Sequence, residues 1–261
     1  SMTDRIREAL SGKKAFIPFI TSGDPDLETT EQLVYAMERA GADLIELGIP
    51  FSDPTAEGPV IMEANLRALS AGVTTDKVFD MVTEIRKNSR IPLVFMTYAN
   101  VVFSYGTERF ISRMEEIGMD GLILPDVPYE EREEFSVVCD QHGIDFISLI
   151  APTSEDRIRM IAKVSRGFVY CVSSLGVTGT RSQITTDISH MVSLVKEVND
   201  IPCEVGFGIS NQETARKMAT QSDGVIVGSA IVKIIAQHGR NAVPEVEKFV
   251  RSLTAAVRET E

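Results

Sequence analysis

The stretch AFIPFITSGDPD, residues 15–26, decides the fold. Its first half, 15–20, is apolar and β-favouring, and Thr, Ser, Gly, Asp and Pro then end the strand in a turn. A doubly wound open sheet, the main structural rival, usually carries G-x-G-x-x-G at this first turn, where the glycines let the backbone approach a dinucleotide. This chain has TSGDPD there instead. The reading moves to a closed barrel, provided that the unit of strand, turn and helix recurs often enough along the chain.

Short apolar runs recur at 15–20, 43–47, 92–96, 121–124, 145–150, 167–172, 203–207 and 224–228. Between them lie segments with helical periodicity, such as LETTEQLVYAMERAG, TTDKVFDMVTEIRKN and YEEREEFSVVCDQHG. Alternation of this kind implies a parallel sheet, and eight such units closing on themselves form an α/β fold of the (β/α)₈ barrel type. TDRIREALS ahead of the first strand predicts an extra N-terminal helix, and PVIMEANLRALSA and GSAIVKII predict short extra helices after strands two and eight. No low-complexity linker divides the 261 residues, so one barrel domain is expected over 1–261, with Ser1 ahead of Met2 read as an added residue.

The formal net charge of −12 argues against a phosphate-backbone binder, whose affinity rests on a concentrated basic surface. No apolar run reaches the roughly 20 residues that span a bilayer, and the cytoplasm is the expected compartment. Cys139, Cys171 and Cys203 are scattered in mostly apolar surroundings and read as buried thiols. His142, His190 and His238 show no metal-ligand spacing, so no His/Cys metal site is expected.

In barrel enzymes chemistry sits at the C-terminal ends of the strands. That rule selects Phe19 and Asp24 after strand one, Glu46 on strand two, Tyr98 and Asn100 after strand three, Asp126 after strand four and Tyr170 on strand six. Three small-residue loops, SSLGVTGT (173–180), GFGIS (206–210) and GSAIVKII (228–235), close the chain's last three units. Their glycines expose backbone N–H groups, and a helix starting near Gly228 and Ser229 adds its positive end, which is how an acidic protein can hold a phosphate. In LIELGIPFSDPTAEGP, residues 44–59, three acids compete for a role. Glu46 sits in an apolar strand, where desolvation raises a carboxyl pKa toward the range useful for proton transfer; a core acid satisfied by a backbone amide or basic partner is the other reading. Asp53 precedes Pro54 and reads as a turn former or interface residue, and Glu57 alone is uninformative.

The blocks FIPFITSGDPD, GADLIELGIPFSDPTAEGPVI, MTYANVVFSYG, LILPDVPYEE, SLGVTGTR, GFGIS and GSAIVKII, in this order and spacing, closely resemble the tryptophan synthase α subunit family. The resemblance implies a cofactor-free (β/α)₈ barrel that cleaves indole-3-glycerol phosphate to indole and glyceraldehyde 3-phosphate. It also implies an α₂β₂ assembly in which indole passes to a pyridoxal-phosphate-dependent β subunit. Carried over by motif, Glu46 is the family's acid/base and Glu57 its second acid, near the indole N–H. The same resemblance implies a substrate slot of Phe19, Ile61, Met96, Ile123 and Phe207 with Tyr98, Asp126, Tyr170 and Thr178 nearby. It places phosphate at Gly179, Phe207, Gly208, Gly228 and Ser229, and partner contacts at Pro50 and Asp53. Two departures stand out: DPTAEGP replaces the family's usual DPLADGP, which makes the second acid about 1.5 Å longer, and Val101 stands where many members have proline. Other readings are a stand-alone indole-releasing lyase, a catalytically weak subunit that mainly activates its β partner, and a different phosphosugar barrel such as an isomerase.

Overall fold

The computed structural model describes residues 4–52, 58–173, 181–206 and 208–261. Nine strands are present among them: β1 Ala15–Thr21, β2 Ile45–Gly48, β3 Leu93–Met96, β4 Gly121–Ile123, β5 Asp145–Phe146, β6 Ser148–Ile150, β7 Val169–Val172, β8 Cys203–Gly206 and β9 Gly224–Val227. They pair in the order β5-β4-β3-β2-β1-β9-β8-β7-β6, and every pairing is parallel. The two ends of that order, β5 and β6, are separated along the chain only by Ile147, so the sheet closes on itself as a barrel.

Closure explains why the expected single strand over 145–150 appears as two. Barrel strands are staggered by the shear, so the two neighbours of one strand pair with different parts of it. Here Asp145 and Phe146 pair with β4, while Ser148, Leu149 and Ile150 pair with β7. Ile147 links the two, its N–H donating to the Leu122 carbonyl at 2.9 Å.

The helices are α1 Asp4–Leu10, α2 Leu27–Arg39, α3 Pro59–Ser70, α4 Thr75–Arg86, α5 Ala99–Tyr105, α6 Thr107–Ile117, α7 Glu133–Gln141, α8 Glu155–Val164, α9 Arg181–Val198, α10 Gln212–Thr220, α11 Ser229–His238 and α12 Ala242–Arg258. The three additions expected from sequence are α1, α3 and α11. Helix α5 was not expected. Its start lacks a local side-chain cap, and Asp126, from the loop after β4, accepts from the Ala99 N–H at 3.1 Å instead.

Alternation along the strands sorts side chains into two cores. Ile17, Leu44, Val94, Ile123, Ile147, Phe168 and Ile226 fill the barrel interior, and Ile6 and Leu10 of α1 close its floor. Phe16, Ile20, Phe79, Phe95 and Phe110 pack between the strands and the outer helices, with the Phe79 and Phe110 rings 5.3 Å apart and edge to face.

The N-terminal ends of the strands are tied by charge. Asp120, only 1% exposed, accepts from Arg5 at 2.8 Å, Arg86 at 2.9 Å and the Leu93 N–H at 2.9 Å. Asp43 accepts from the Phe16 N–H at 2.8 Å and from Arg258 at 2.9 Å. Among the described residues no helix is long and apolar enough to cross a membrane.

Candidate active site

Strand β2 turns Ile45 and Leu47 outward and therefore points Glu46 into the barrel. Its Cα is in register with Phe19 on one side and Val94 on the other. The side chain is fully buried, and among the described residues neither carboxyl oxygen has a hydrogen-bond partner. Burial pushes its pKa up to about 8, because the ionised form would lose water and gain no donor in return. The reading of Glu46 as a core acid satisfied by an amide or a basic partner finds no such partner among the described residues.

Tyr170 on β7 lies close enough to feel that carboxyl. Its phenol pKa is raised first by burial and then by the charge of Glu46. Two glycines make room for the rings at this level. A Cβ on Gly48 would fall 2.7 Å from Phe19 Cζ, and one on Gly206 would fall 2.5 Å from the Tyr170 hydroxyl oxygen. Neither approach is compatible with a larger residue unless a ring moves.

Above the interior lies a small apolar cluster of Phe19, Ala64 and Val232, with Val60, Ile61 and Met96 packed beside it. Of the apolar slot residues expected from sequence, Phe19, Ile61 and Met96 meet in this cluster. Ile123 and Tyr170 belong to the interior cluster, which Met96 also borders. The far wall was not anticipated: Val60 and Ala64 come from α3 and Val232 from α11. The i, i+4 spacing of Val60 and Ala64 on one helix face was the available signal.

The remaining expected residues divide. Tyr98 is buried, with its ring 5.4 Å from that of Phe51. Asp126 and Asn100 are exposed, and Asp126 is engaged as the cap of α5. Asp24 is 1% exposed and receives both Arg67 donors, at 2.8 and 2.9 Å, so it anchors α3, one wall of the slot. Pro50 is buried within the chain itself. Gly208 is exposed with φ +74°, and Gly228 precedes α11, whose first residue Ser229 is exposed. The first N–H groups of that ten-residue helix have no helical acceptor by geometry, and they leave the same rim as the slot. Asp53, Glu57, Thr178, Gly179 and Phe207 lie outside the described residues.

One acid escaped the sequence reading. Glu204 on β8 is fully buried, points inward and has no hydrogen-bond partner for either oxygen among the described residues. Its carboxyl occupies the space that a side chain on Gly224 would need, next to the Ala15 backbone, and burial drives its pKa well above the ordinary carboxylate range. Among the described residues no cluster of three His, Cys, Asp or Glu is placed to hold a metal. Cys139, Cys171 and Cys203 are free and buried.

These features define a class: a parallel (β/α)₈-barrel enzyme with a sequestered carboxyl group beside an apolar slot at the C-terminal ends of its strands. The comparisons with known proteins make the assignment specific. The family model described as tryptophan synthase alpha chain matches residues 7–259, and the chain belongs to that family. It is 49% identical over 243 residues to the tryptophan synthase alpha chain of Alkaliphilus metalliredigens, covering 92% of this chain and 91% of that one. The alpha chain of Caldanaerobacter subterraneus subsp. tengcongensis is 51% identical over 245 residues, covering 93% of both. The solved alpha subunit from Legionella pneumophila superposes with a TM-score of 0.89 at 36% identity, covering 98% of each chain. A chain of the tryptophan synthase complex from Pyrococcus furiosus gives 0.83 at 35% identity, covering 92% of this chain and 98% of that one.

Proposed function

We propose that the chain is the lyase subunit of a tryptophan synthase, cleaving indole-3-glycerol phosphate to indole and glyceraldehyde 3-phosphate and passing indole to a β subunit, with Glu46 as its acid and base. The observation that carries the role of Glu46 is a fully buried carboxyl without a partner among the described residues, at the edge of an apolar slot and with a pKa raised to about 8. In the neutral form Glu46 delivers a proton to indole C3, which converts the ring to an indolenine cation. The hydroxyl next to the scissile bond then loses its proton to the Glu46 carboxylate. As the carbon–carbon bond breaks, an aldehyde forms on the glycerol side and the electron pair restores the neutral indole. One proton is added and one removed, so Glu46 returns to its starting state.

Phe19, Ile61 and Met96 hold the indole, and Ile123 and Tyr170 line the barrel side of the same space. Gly208 and the start of α11 at Gly228 and Ser229 hold the phosphate, together with Gly179 and Phe207. Glu57 is assigned to the developing positive charge on the indole nitrogen, Thr178 to the substrate rim and Asp53 to the partner face, with the buried Pro50 supporting the loop that carries Asp53. The cytoplasm is the compartment this reading implies. Indole release from indole-3-glycerol phosphate by the pure chain, with and without β subunit, tests the reaction. Wild-type turnover by Glu46→Gln would sink the mechanism, since loss of a proton-transfer group costs about 10²-fold or more. Glu57→Ala is expected to be severely impaired and Glu57→Asp active.

A further inference from the structure

A cavity of about 280 Å³ lies between the segment after β4, the strand residues 146–149 and helix α8. Arg132, Tyr129, Phe146, Ser148, Thr153 and Arg157 all line it. Arg157 is already neutralised, with both terminal nitrogens on Glu130 at 2.8 and 3.1 Å. Arg132 is not. It is half-buried, its guanidinium stands 5.8 Å above the Phe146 ring, and its side-chain hydrogen bonds, to Ser136 Oγ and the Val164 carbonyl, are both 3.4 Å long. Among the described residues no carboxylate lies within ion-pair distance of it. The hydroxyls of Tyr129, Ser148 and Thr153 make no hydrogen bond among the described residues either, although Ser148 is only 8% exposed.

We propose that this cavity is a binding site for a small organic carboxylate, with Arg132 reading the head group and Phe146 and Ile161 enclosing an apolar body. A half-buried guanidinium without an anion keeps its charge available to a ligand, and its planar fork matches a carboxylate with two parallel hydrogen bonds. The unused hydroxyl of Ser148 supplies a further donor. A monoanion fits better than a phosphate, which carries −1.5 to −2 charges against one unneutralised guanidinium. It also fits the acidic setting: Glu130, Glu131, Glu133 and Glu134 are nearby in sequence but exposed, where water and salt screen them. The volume suits a ligand of one ring. The site shares no residue with the slot of Phe19, Ile61 and Met96 and stands independently of the proposed reaction.

The test is titration of the ¹⁵N-labelled full chain with benzoate, followed by amide chemical shifts, with inorganic phosphate as a parallel arm. Saturable shifts at 124–132 and 146–157 with a Kd of about 1 mM or tighter are expected, weakened at least tenfold in Arg132→Gln and less in Ser148→Ala, a variant that keeps every charge. Shifts confined to 60–64 and 206–232, no saturation, tighter binding of phosphate at the same amides, or full affinity in both variants would each overturn the assignment.

Discussion

At the floor of the barrel Asp120 receives two arginines and a backbone N–H, and Asp43 receives an arginine and a backbone N–H. At the mouth Glu46, equally removed from water, receives nothing from the described residues. Charge-assisted hydrogen bonds offset the loss of hydration, so the floor acids hold structure together. An acid given no donors keeps its proton instead, and a proton held at neutral pH can be transferred. Glu204 complicates the contrast. It is as unpartnered as Glu46, yet it lies beside Gly224 and Ala15, while Glu46 is level with Phe19. Seclusion makes an acid protonatable; proximity to the slot makes it useful.

The contrast can be broken most sharply at the floor. Asp120→Ala leaves two arginines facing a void and is expected to cost about 3–5 kcal/mol of unfolding free energy in urea titrations. Turnover per folded molecule should hardly change, and a large fall in it would give the floor a catalytic role.

Glu46→Gln comes next, with the reverse profile: about 10²-fold less indole release and little loss of stability. Its pH signature has a definite sign. The folded-state pKa of about 8 lies above the ordinary 4.5, so the stabilisation linked to its proton is complete below pH 4.5 and is lost as pH rises toward 8. Urea midpoints of wild type should therefore fall over that window relative to Glu46→Gln, and parallel curves would show that the carboxyl is not secluded. Proton donation predicts an alkaline limb in kcat near pH 8.

Gly206→Ala forces a methyl group against the Tyr170 ring, with an expected cost of about 1–3 kcal/mol and a visible loss of activity. Unchanged activity would separate Tyr170 from the site. The smallest effect is assigned to Glu204→Gln, with full turnover and a flatter decline of stability with rising pH, because the raised pKa of Glu204 has the same sign. A hundredfold fall in turnover there would erase the distinction between the two acids.

Much of this was legible in the chain. An acid inside LIEL can only be a buried carboxyl, and TSGDPD after the first strand removed the dinucleotide-binding alternative. Glu204 gave the same local signal in CEVG, but an inward residue's depth is set by the stagger between strands, which no single segment encodes. Helix α5 was invisible for a related reason: its cap, Asp126, comes from another loop. The division of 145–150 belongs to ring closure. Asp24 was read as a site candidate because its partner, Arg67, is 43 residues away in sequence.

The seam at Ile147 has a mechanical consequence. A hoop yields at its shortest stave, and here β5, on one side of the joint, is a strand of two residues, against seven in β1. Native-state hydrogen exchange should find the amides of 145–150 opening well before those of 15–21, so that the barrel unfastens along this line while its opposite staves remain joined.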